Sequence, residues 1–181
     1  GITGDCKEIS PEEVELLENH RFEEIRTLFW RNSNLNFNNP IGLIRSLEEK
    51  PQVEWLRKIH ECEDEKALKH FLKDQKILNK DFDKKTLMLL WECCQIPDFV
   101  KKTYGNHFEV IGNVFKFLTS KKGLISEDYM RLQLMKLDKL DGNVDSLSNR
   151  IANVRTWSYV SNKNNWVENQ SYWIEKTKHL E

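Results

Sequence analysis

YGNHFEVIGNVFKFLTS, residues 104–120, establishes the structural class of this protein. Phe108, Ile111, Phe115 and Leu118 recur at i, i+3, i+7 and i+10. That spacing gathers them on one side of a helix and would scatter them over both faces of a strand. Lys121-Lys122-Gly123 closes the helix, since glycine accepts the left-handed backbone that ends a helical run. Towards the C-terminus, Ser126-Glu127-Asp128 opens another helix, with Tyr129, Leu132 and Leu137 on one stripe. Asp141-Gly142 makes a turn, and Asp145 caps a helix bearing Leu147, Ile151, Val154 and Trp157. The tail from Glu168 carries Trp173 and Ile174 on a last helix.

Towards the N-terminus the same period returns. Leu87, Leu89, Leu90, Trp91 and Cys94 predict a helix that stops near Ile96-Pro97. Val53, Leu56 and Ile59 mark another, with Trp55 beside it, and Leu68, Phe71 and Leu72 follow an acidic stretch from Glu61 to Glu65. Asn39-Pro40 starts a helix with Ile41, Ile44 and Leu47 on one side, ending at Lys50-Pro51. Residues 32–39 form a polar loop with Leu35 and Phe37 as anchors. Ser10-Pro11-Glu12-Glu13 is a helix start, and Val14, Leu17, Phe22, Ile25, Leu28 and Phe29 follow it. His20-Arg21 breaks that run. No β alternation and no internal repeat appears. The expected fold is all-α, two packed helical sub-bundles without significant sheet, over residues 1–80 and 81–179. The charged stretch Asp74–Lys85 is the expected hinge. Gly1, with no Met before it, is expected to lie inside a longer protein, and Leu180-Glu181 is expected to be a residue of a purification tag.

Composition agrees with helices. Seven Gly and four Pro in 181 residues are few for a turn-rich β architecture, while nine Phe, six Trp and four Tyr supply a core. Lys plus Arg number 28 against 29 Asp plus Glu, a formal net charge of -1, so any nucleic-acid contact must come from a local patch. Cys6, Cys62, Cys93 and Cys94 form no CxxC pair, and His60 and Cys62 lack two further ligands at zinc spacing. Free thiols in a reducing cytosol are expected. No signal peptide is recognisable, and no apolar run is long enough to span a bilayer.

Catalytic signatures are missing from the sequence. A P-loop NTPase needs glycine-rich backbone amides and a Lys on the phosphates, and no GxxxxGK[ST] occurs. Asp64-Glu65-Lys66-Ala67 follows a charged segment rather than a buried strand and is expected to be a solvated face. The most informative stretch is DGNVDSLSNRIANVRTWSYV, residues 141–160. Arg150 and Arg155 flank its apolar stripe. They either hold phosphates beside aromatic rings, or bridge to Asp141, Asp145 or helix carbonyls and pack the bundle. Trp157 and Tyr159 either stack on bases or, with Trp166, Tyr172 and Trp173, build the core. Lys101-Lys102 and Lys121-Lys122 are local positive pairs that either sit in water or steer a strand. Candidate nucleic-acid contacts are therefore Arg150, Arg155, Lys101 and Lys102 for phosphates, and Trp157 and Tyr159 for stacking.

Several stretches in order resemble one family. They are Gly4-Asp5, His20-Arg21-Phe22, Trp30-Arg31-Asn32, Leu35-Asn36-Phe37, Ser46-Leu47-Glu48, Leu90-Trp91-Glu92, Cys94 to Phe99, Asp141-Gly142 through Arg150-Ile151-Ala152 to Arg155-Thr156-Trp157, and Trp173 with Lys176-Thr177. The chain resembles the RNA helicases of the mitochondrial degradosome, the suppressor-of-Var helicases, and their alphaproteobacterial relatives. The resemblance implies a helical accessory region that follows the second RecA-like motor domain, supports the motor and guides single-stranded RNA. It implies a superfamily-two parent that hydrolyses ATP to unwind RNA and passes single strands to an exoribonuclease. It implies a bacterial cytoplasmic setting, mitochondrial in eukaryotic relatives. ATP and Mg²⁺ would belong to the motor domains; this stretch is expected to hold no cofactor, no metal and no catalysis. Asn143 and Val144 stand where the family more often has Asp and Ile, and Val100-Lys101 stands for an Arg-Lys pair, which removes one candidate phosphate contact. A competing expectation is a brace that docks on the motor or a nuclease without touching RNA.

Overall fold

A computed structural model of the protein describes residues 11–21, 34–50, 52, 62–74, 82–99, 104–138 and 142–181. The fold is all-α. The described residues form eight helices and no strand: α1 (Pro11–Glu18), α2 (Pro40–Glu48), α3 (Glu63–Leu72), α4 (Lys84–Cys94), α5 (Tyr104–Leu118), α6 (Glu127–Met135), α7 (Val144–Asn162) and α8 (Gln170–Leu180). The chain divides into two units, Gly1–Met88 and Leu89–Glu181. Of the expected elements, the Ser10 cap, the apolar positions from Phe22 to Phe29, the helix around Val53, Trp55, Leu56 and Ile59, and residues 75–81 of the expected hinge lie outside the described residues.

In the first unit, the break at His20-Arg21 has a backbone cause. His20 adopts φ 55°, and the amides of His20 and Arg21 return to the carbonyls of Leu17 and Leu16 at 3.1 and 2.9 Å, terminating α1. Asn39 caps α2, its side-chain oxygen accepting the Gly42 amide at 2.6 Å, with Pro40 in the first turn. The buried face of α2 is Leu43, Ser46 and Leu47, not the expected Ile41–Ile44–Leu47 stripe, and Ile41 is 60% exposed. The reason is the loop that precedes the helix. Ser46 Oγ accepts the Asn36 amide at 3.0 Å and donates to the Leu43 carbonyl at 2.8 Å, which draws the 43/46/47 side inward. α3 packs against α2. Its first turn carries Glu63, Asp64 and Glu65 on the positive end of the helix dipole. The expected solvated face is corrected here: Glu65 and Ala67 are buried, because Glu65, Leu68 and Leu72 share one side at i, i+3 and i+7. Asp83 caps α4, accepting the Thr86 amide at 2.9 Å and the Thr86 hydroxyl. Those two bonds hold its carboxyl below the usual carboxylate range.

In the second unit, Leu90, Cys93, Cys94 and Ile96 are buried, and α4 ends one residue before Gln95, close to the expected stop. α5 buries Ile111, Val114 and Leu118, with Phe108 and Phe115 half-buried beside them. Gly123 closes this region at φ 65°, as glycine chemistry required. α6 buries Met130 and Leu134, followed by Leu137. Leu132, expected on that stripe, is 52% exposed, because the inward side runs through 130, 134 and 137. The Ile125 amide donates to the Trp166 carbonyl at 2.8 Å, and Asn169 Nδ2 donates to Glu127 Oε1 at 2.7 Å, fastening the start of α6 to the α7–α8 loop. α8 packs along α7. Trp157, Trp166 and Trp173 are all buried in this unit.

Candidate nucleic-acid interface

α7 carries four of the six residues expected to meet a strand. Its N-cap is Asn143 rather than the expected Asp145: Asn143 Oδ1 accepts the Ser146 amide at 2.9 Å, and Ser146 Oγ returns a bond to the Asn143 carbonyl. At 100° per residue, Arg150, Val154, Trp157 and Ser161 fall on one narrow arc, with Val160 and Thr156 beside them. Val154, Thr156, Trp157, Val160 and Ser161 are buried. Val144, Ile151 and Arg155 fall on the opposite side and are exposed. Ile151, expected in the core, is 47% exposed for that reason.

Arg150 is half-buried and already engaged. Its Nε donates to the Leu137 carbonyl at 2.6 Å and its Nη2 to the Leu180 carbonyl at 2.8 Å. Leu137 lies just past the end of α6 and Leu180 at the end of α8. Carbonyls at helix C-termini lack intrahelical partners and carry partial negative charge, so one planar cation suits both. Of the two uses open to Arg150 in the sequence, the structure displays the bridge to helix carbonyls. The same holds for Trp157, which is 4% exposed, with its ring edge-on to Tyr129 at 5.8 Å between centroids. Tyr129 also meets Phe117 at 5.1 Å, so three helices share one aromatic cluster. Burial raises the Tyr129 hydroxyl above its ordinary value. A base has no open ring face at Trp157, and its expected stacking role is corrected to a packing role.

Arg155 is exposed and makes no hydrogen bond or ion pair with a described residue. Tyr159 is half-buried one turn on. Lys163, the C-cap of α7, holds its ammonium 5.3 Å from the Tyr159 ring centre and 5.7 Å from that of Trp166. Arg155, Tyr159 and Lys163 thus follow one another at four-residue spacing. Lys101 and Lys102 lie outside the described residues. Lys121 and Lys122 are exposed after α5. Other polar side chains of α7 fold back on the helix: Asn153 to the Asn149 carbonyl, Ser161 to Trp157 and Asn162 to Ser158, each between 2.7 and 2.8 Å.

Two further ties were not read from the sequence. Thr156 Oγ1 donates to the Pro97 carbonyl at 3.2 Å, and His107 Nε2 lies 2.8 Å from the Ile96 carbonyl. Both fix the Ile96–Pro97 segment, and their partners are 59 and 11 residues distant, so no local pattern announces them. The Asn143 cap had a signal, since Asn after Asp-Gly and before an apolar run is a favoured N-cap. Lys163 had none beyond its place four residues after Tyr159. Cys93 and Cys94 are poor nucleophiles: burial, reinforced by the Glu92 charge and opposed by Lys163, pushes the Cys93 thiol up to about 12, and burial raises Cys94 as well. Among the described residues no group of three or more His, Cys, Asp and Glu is arranged to hold a metal ion, and no helix is long and apolar enough to cross a membrane. Comparison with protein-family models, with curated proteins and with solved structures finds no match for this chain.

Proposed function

We propose that this chain is a helical accessory region of an ATP-dependent RNA helicase, one that braces the RecA-like motor domains and touches single-stranded RNA along a short strip of α7. The observation that carries the division of labour is the pair of bonds from Arg150 to the carbonyls of Leu137 and Leu180. That arginine serves the scaffold, as does Trp157. Two of the resembling stretches, Cys94 to Phe99 and Asp141 to Trp157, meet through the Thr156–Pro97 bond, which supports a shared packing role for them. Arg155 is left as the exposed cation of this helix, with the half-buried ring of Tyr159 one turn on. In this reading ATP and Mg²⁺ act in the motor domains, an exoribonuclease receives the strand, and this chain performs no hydrolysis.

A second reading, a brace without RNA contact, is favoured by the same engagement of Arg150 and Trp157. Titrating a fluorescent single-stranded RNA with the chain at rising salt separates the two. Strand contact predicts binding whose logarithm falls linearly with the logarithm of salt concentration. Absence of binding at low salt would leave the brace alone. ATP hydrolysis by the purified chain would overturn both.

A further inference from the structure

We draw no further inference here: the strongest candidate, the exposed apolar surface that Leu132 and Met135 present on α6 and Val144 and Ile151 on α7, is an unpartnered face, and nothing in the structure shows what covers it.

Discussion

Arg150 is the residue on which scaffold and strand readings part. A charged donor on a carbonyl contributes roughly 1.5–3 kcal/mol, and losing it strands an acceptor. Arg150→Ala is expected to lower unfolding stability by about 2–4 kcal/mol, read as a fall in the urea midpoint. Arg150→Lys should recover little of it, because an ammonium cannot present the planar fork that reaches both carbonyls. The thiols give a pH-dependent counterpart. Burial pushes the Cys93 thiol from an ordinary value of 9.0 in the unfolded chain up to about 12 in the folded one. A raised folded value means its contribution is fully present below pH 9 and is lost as pH rises towards 12. Native protein is therefore expected to resist alkylation at Cys93 and Cys94 at pH 8, with both reacting once urea is added. Rapid modification of the folded chain, followed by mass spectrometry, would contradict the burial of this pair.

Among elements, α7 shows which features were legible and which were not. Its existence followed from the apolar period and the turn before it. Its inward face followed only in part: Val154 and Trp157 of the expected stripe are buried, while Leu147 is half-buried and Ile151 exposed, and Arg150 shares the buried side instead. Hydrophobicity alone prefers an isoleucine to an arginine at a core-facing position. The structure turns Arg150 inward because two helix ends converge on it, and convergence of elements thirteen and thirty residues away leaves no trace in local spacing. The same failure occurred at Ile41 and Leu132, where the register of burial was set by a loop or a neighbouring helix rather than by the sequence of apolar residues. Caps were legible where the residue type was decisive, as at Asn39-Pro40 and Gly123. Asn143→Ala is expected to cost about 1 kcal/mol through loss of the α7 cap. Thr156→Val should cost about 1–2 kcal/mol, leaving the Pro97 carbonyl without its donor. Trp157→Ala should cost about 3–5 kcal/mol, as for other buried aromatics. Thermal or urea unfolding of the three variants checks the order; equal midpoints for Trp157→Ala and the parent would contradict the aromatic cluster.

For the molecule as a whole, near-neutral charge means that strand binding cannot rest on a general positive field. It must rest on a few side chains, and the described residues narrow the candidates on α7 to Arg155 and Tyr159. The most direct test sets salt-dependent binding of single-stranded RNA beside urea unfolding for the parent, Arg150→Gln and Arg155→Ala. Arg155→Ala is predicted to keep the parent's urea midpoint while its salt slope becomes shallower by about one, the signature of one lost phosphate contact. Arg150→Gln is predicted to lower the midpoint and leave the slope as it was. A flattened slope in Arg150→Gln with its midpoint intact, or an unchanged slope in Arg155→Ala, would contradict the assignment of one arginine to the scaffold and the other to the strand.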